Sequence, residues 1–276
     1  MKLLNQASDE DPENIQYLIK LAEVYEDDGK SQDALKAIIR AQRLEPDEVR
    51  LSLMKAGYLN TLERAREAVT ELKRINSKYP EFDYAYFMLA ESYLLLDDLK
   101  DAKTAIDTAI KLSKGPDPEY YERSAQIRIA EGELDNAISY LDRAMSAAGS
   151  DDEKVIYLLE KVKALSFAGK ADEGEKIIRD EYEKNSENAL YYYSLIDNLS
   201  DQGKKDDIEK LIHDKNLPES LASLIRVYSG IYGKPDEGAV ESALSNLHND
   251  IHQNDFNLIL SQILFDAMLA TAGKDE

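Results

Sequence analysis

The chain has 276 residues, with 55 acidic side chains against 34 basic ones and a formal net charge of −21. No basic face stands out to replace phosphate counterions, which argues against nucleic acid and against an anionic membrane surface as partners. Cysteine is absent, so disulfides, thiolate catalysis and cysteine zinc sites are excluded, while a hydrophobic share of 43% is enough for a sizeable core.

Residues 1–14 come first. Leu4, Ala7 and Pro12 stand at the intervals that later separate Ile38, Ala41 and Pro46. They read as the end of a second helix whose first helix is missing, either a capping half-repeat or, the favoured reading, the remainder of a longer protein. From Ile15 onward two helices alternate. Leu18, Leu21 and Tyr25 make an apolar stripe at helical spacing. Gly29-Lys30-Ser31 matches the tail of a phosphate-binding loop, but the second glycine that loop needs is Val24, and helical periodicity precedes it. Phosphate binding is therefore rejected.

Spacing gives a better account. From Ala22 it is 12 residues to Ala34, 7 to Ala41 and 5 to Pro46, and Ala56, Ala68, Ile75 and Pro80 repeat those intervals. Ala90, Ala102 and Ala109 follow, then Ala125, Ala137 and Ala144. Weaker copies sit at Val162, Gly174 and Glu181 and at Ile196, Ile208 and Lys215. The turn before each second helix recurs at Gly29, Glu63, Asp97, Gly132, Gly169 and Gly203, in steps of 34, 34, 35, 37 and 34 residues. Small residues let two helices approach closely, and the proline ends the second helix.

After Leu217 the pattern decays into a degenerate hairpin over 218–250. Leu221, Leu224, Ile225 and Tyr228 form one apolar face, Gly233–Glu237 a turn, and Ala239, Ala243 and Leu247 the start of a second helix. A strongly apolar helix over 254–272 closes the chain, with Phe256, Leu260 and Leu264 among its residues. It needs a following repeat, a partner or a capping role.

A period near 34 with two helices per unit resembles the tetratricopeptide repeat family. The resemblance implies an all-α fold: a right-handed superhelical solenoid of antiparallel helix hairpins. It spans 1–276 as one array, with repeats at 15–48, 49–82, 83–117, 118–152, 155–188 and 189–217. It also implies a concave groove lined by the first helices that holds a partner's peptide or helix. The family's lysine and asparagine clamp for chaperone tails has no match here: Ile19 and Glu23, Leu53 and Gly57, or Phe87 and Glu91 occupy its positions.

The expected groove residues are Tyr84, Phe87, Glu91, Gln126, Leu159, Lys163, Phe167, Tyr193 and Asp197, with Leu94 and Leu95 as apolar neighbours that could equally pack on adjoining helices. Tyr25, Tyr86, Tyr93, Tyr121 and Tyr192 fall on the packing stripe and are expected in the core. His248 and His252 share a helix face at metal-ligand spacing, but Asn249 stands where a catalytic glutamate would, and they read as a solvated pair. No catalytic set and no cofactor site is found. The expectation is a non-catalytic protein-binding scaffold for complex assembly, its partner a peptide or helix that is apolar, with basic residues compatible. No apolar run reaches the ~18 residues of a membrane span, so no direct membrane insertion is expected. The alternatives are a regulatory or localising segment of a larger, membrane-anchored or secretion-related protein, and a module that self-associates through its C-terminal helix. The compartment is left open between cytoplasm and periplasm.

Overall fold

The structure, a computed structural model, describes residue 11, residues 13–231 and residues 255–272, with side chains of the last segment over 256–264. Among the described residues all regular structure is helical. It falls into two compact units, residues 1–147 and 148–276.

The first unit holds four hairpins. These are α1 (Ile15–Asp27) with α2 (Ser31–Leu44), α3 (Val49–Thr61) with α4 (Ala65–Lys78), α5 (Asp83–Leu94) with α6 (Leu99–Leu112), and α7 (Pro118–Ala130) with α8 (Leu134–Ala147). Each hairpin packs on the next through its second helix, so α2 meets α3, α4 meets α5 and α6 meets α7. The second unit holds α9 (Asp151–Phe167) with α10 (Ala171–Lys184), α11 (Ala189–Asp201) with α12 (Lys205–Lys215), then α13 (Glu219–Tyr228) and α14 (Asp255–Ala272).

The turn positions read from the sequence share one backbone conformation. Gly29, Glu63, Asp97, Gly132, Gly169 and Gly203 all have φ between 56° and 78°. The next N–H closes each first helix by bonding back five residues: Lys30 to Tyr25, Arg64 to Leu59, Asp98 to Tyr93, Glu133 to Arg128, Lys170 to Leu165 and Lys204 to Leu199, at 2.7–2.9 Å. Glycine takes this left-handed conformation without penalty. Glu63 and Asp97 take it with a Cβ. Gly230, at φ 64°, ends α13 the same way, with Ile231 bonded to Arg226 at 3.0 Å. The Gly233–Glu237 turn expected from the sequence lies outside the described residues.

The small residues of the repeat sit where helices cross. Ala22 with Ala34, Ala56 with Ala68, Ala90 with Ala102 and Ala125 with Ala137 are fully buried. In the fifth repeat the pair is Val162 with Gly174. A Cβ on Gly174 would lie 3.3 Å from the Val162 carbonyl oxygen and 3.4 Å from its Cγ1. The larger valine takes the volume that the glycine gives up.

The last helix departs from simple stacking. α14 packs on α11 and α13. Phe256 meets Tyr192 edge-on at 5.6 Å between ring centres, and the Lys215 ammonium lies 4.2 Å from the Phe256 ring centre. Phe256, Leu260, Ser261 and Leu264 are buried, whereas Leu258 and Ile259 are about half exposed.

Candidate partner-binding face

Within each unit the first helices are stitched together by side chains one repeat apart. In the first unit Arg50 pairs with Glu23 at 3.3 Å across α1 and α3, and Asn60 donates to Ser92 Oγ at 2.9 Å across α3 and α5. Arg123 of α7 pairs with Glu91 of α5. In the second unit Asn198 of α11 donates to Ser166 Oγ of α9 at 3.0 Å. Asn60–Ser92 and Ser166–Asn198 occupy the same two repeat positions with the partners exchanged. Sequence reasoning missed these pairs. A search for complementary polar residues 32 apart on successive first helices would have found them.

On the first unit's face, Tyr84 is 43% exposed. Its ring stacks on Phe87 at 5.9 Å and 24°, and Phe87 stacks on Tyr120 at 4.9 Å and 20°. Phe87 is only 5% exposed. It lies beneath the surface and supports Tyr84, so its contribution to the face is indirect. Glu91 is half-buried in its pair with Arg123, and burial pushes its carboxyl up against the pull of that guanidinium. Gln126 accepts from Arg123 at 2.5 Å and donates to Glu122 at 3.0 Å, so it belongs to the same polar chain. Burial, then the Glu119 and Glu91 carboxylates, raise the Tyr84 phenol. Leu95 is 59% exposed at the end of α5, and Leu94 is half-buried.

In the second unit α9 carries two apolar stripes. Val155, Leu158, Val162 and Leu165 are buried and pack the hairpin. Ile156, Leu159 and Phe167 lie on the other, with Lys163 among them. Ile156 is 51% and Phe167 58% exposed. Leu159 is half-buried and Lys163 exposed. The Lys163 charge acts on Asp201 of α11, opposing burial and Asp197, which together raise that carboxyl. Tyr193 is half-buried. Its hydroxyl is 3.0 Å from that of Tyr228, which donates to Asp197. Burial, then this carboxylate, push the Tyr228 phenol upward. Tyr193 and Asp197 therefore share a network completed by Tyr228 of α13, a residue the sequence assigned only to an apolar face.

The tyrosines expected in the core divide in two. Tyr93 and Tyr192 are buried, while Tyr25, Tyr86 and Tyr121 are half-buried. Among the described residues no group of three His, Asp or Glu side chains is placed to hold a metal ion. His248 and His252 lie outside the described residues. No helix among the described residues is long and apolar enough to cross a membrane.

Residues 19–81 and 87–153 match the tetratricopeptide repeat family. No curated protein sequence matches the chain. Among solved structures it is similar to a tetratricopeptide repeat protein from Parabacteroides merdae, at 16% identity and a TM-score of 0.58, over 92% of this chain and 98% of that one. It is also similar to PilF of Pseudomonas aeruginosa, at 19% identity and 0.53, over 69% and 85%. A third is PilW, described as a type IV pilus biogenesis factor, at 18% identity and 0.53, over 65% and 83%. At these identities the likeness is one of fold.

Proposed function

Residues 19–81 and 87–153 belong to the tetratricopeptide repeat family, and on that premise we propose that the chain is a non-catalytic scaffold whose first-helix face binds a peptide or helix of a partner protein for assembly of a multi-protein complex. Repeat folds specify a surface and leave its use to the side chains on it. The observation that carries the reading is the second apolar stripe on α9. A helix in a hairpin array needs one buried stripe, and Val155, Leu158, Val162 and Leu165 supply it. Ile156 and Phe167, both more than half exposed, are extra to that need. Large apolar side chains held on a rigid helix face are the kind of anchor that dominates binding energy.

The test is affinity capture from the native source with the wild-type chain and an Ile156→Asp, Phe167→Asp variant whose helicity is checked by circular dichroism. A protein held by the first and lost from the folded variant supports the reading. Equal capture by both removes this face from consideration.

A second reading has its own observation. Leu258 and Ile259 remain about half exposed on α14, which fits self-association through that helix. Light scattering over a concentration series tests it, and a constant monomer mass rules it out.

A further inference from the structure

Tyr84 stands out on the first unit as an exposed ring in surroundings where carboxylates outnumber cations. One face of the ring rests on Phe87, which is itself backed by Tyr120, and 43% of the residue is exposed. Glu91 of α5 and Glu119 of α7 act electrostatically on the Tyr84 phenol, and Asp83 and Asp117 act on Tyr120 beneath. Of the two arginines on α7, Arg123 is engaged by Glu91 and Gln126, and Arg128 is buried in its pair with Asp107. Burial is the main cause that raises the carboxyls of both Glu91 and Glu119; neighbouring carboxylates add to it and Arg123 opposes it.

We propose that Tyr84, within electrostatic reach of the carboxylates of Glu119 and Glu91, is a seat for an arginine side chain of the partner protein. The inference rests on the reading that the first-helix face binds protein, and it gives that partner a chemistry. An exposed aromatic ring attracts a cation through its negative face. Among cations, guanidinium is planar enough to lie on the ring and still present N–H groups sideways to a carboxylate. The stack beneath Tyr84 fixes the ring before binding, so little side-chain entropy is lost when the seat fills. A glutamate at the same place would be repelled by Glu119 and Glu91.

The experiment uses the full chain and two fluorescein-labelled octapeptides, four Leu-Arg repeats and four Leu-Glu repeats, followed by fluorescence anisotropy at 0.15 M salt. The arginine peptide is expected to bind and the glutamate peptide not to. Tyr84→Ala should weaken the arginine peptide about fivefold, Tyr84→Phe should stay within about twofold because the ring face is kept, and Glu119→Gln should weaken it. Asp151→Asn, which removes one charge from the second unit, should leave binding unchanged. Circular dichroism confirms that each variant is folded. No binding, wild-type affinity in Tyr84→Ala, or equal weakening by Glu119→Gln and Asp151→Asn overturns the seat. The Phe167 capture experiment is independent of these variants. Partner loss there with no Tyr84 effect here defeats the arginine seat while the scaffold reading stands.

Discussion

Asn76 and Gln42 occupy the same position of successive repeats and meet opposite surroundings. Gln42 donates to Ser52 and to Glu71 at 2.9 and 2.8 Å and accepts from Lys55 at 3.1 Å. Burial would raise the Glu71 carboxyl, yet hydrogen bonds from Arg74, Lys55 and Gln42 hold it down at about 2. One period later the residues equivalent to Ser52, Lys55 and Glu71 are Tyr86, Leu89 and Ala105. The polar lattice is gone, and Asn76 is 8% exposed with no partner for either end of its amide among the described residues. A buried amide without partners costs roughly 1–3 kcal/mol. Asn76→Leu removes both polar atoms, keeps the branched heavy-atom skeleton and introduces an aliphatic side chain as at Ile110, the residue one further period along. It should stabilise the protein by about 1 kcal/mol, read as a rise in the urea midpoint at unchanged slope. A fall in that midpoint would mean that the amide is satisfied.

At the scale of the helix hairpin, the sequence showed where elements cross and turn, because crossing and turning are local demands on side-chain size and backbone angle. Six turn positions spaced near 34 residues all adopt left-handed backbone. The buried alanines fall at the intervals that defined the repeat. Exposure within the first-helix row was harder to read. Phe87 and Tyr84 sit three residues apart on α5, and only the placement of Tyr120, from the next repeat, buries one beneath the other. Likewise Tyr193 and Asp197 meet through Tyr228, supplied by a helix 35 residues on from Tyr193, where the repeat signal has faded. Coupled volume at a crossing is testable. Gly174→Ala places a Cβ 3.3 Å from the Val162 carbonyl and 3.2 Å from Asn198 Nδ2, and should cost about 1–3 kcal/mol as overpacking. Val162→Ala alone should also destabilise, by opening a cavity. Combined, the two restore the Ala–Ala pair of the first four repeats, and the loss should be well below the sum of the singles. Additive losses in thermal or urea unfolding would show that the crossing does not couple them.

At the scale of the whole molecule, the dominant fact is a formal charge of −21. Many cations are tied to carboxylates in their own helix or the next, as in Lys20–Glu23, Arg64–Glu67, Lys103–Glu131 and Arg226–Glu209. Even so, 55 acidic side chains stand against 34 basic ones. Added salt therefore acts on two opposing quantities. It weakens exposed ion pairs, each worth about 0–1 kcal/mol, and it weakens repulsion among surplus acids. The range of the two differs. Paired atoms lie within 4 Å of each other, inside the Debye length of about 8 Å at physiological ionic strength, whereas repulsion sums over separations far beyond it. Screening should thus remove repulsion before it removes the pairs, and a strongly charged compact state gains from that. Raising sodium chloride from 10 to 300 mM should raise the unfolding temperature by several degrees, on the order of 1 kcal/mol, with most of the rise below about 0.15 M. A melting temperature that stays level or falls over that range would mean that the short-range pairs outweigh the net charge, and that the acidity is held in place by its local partners.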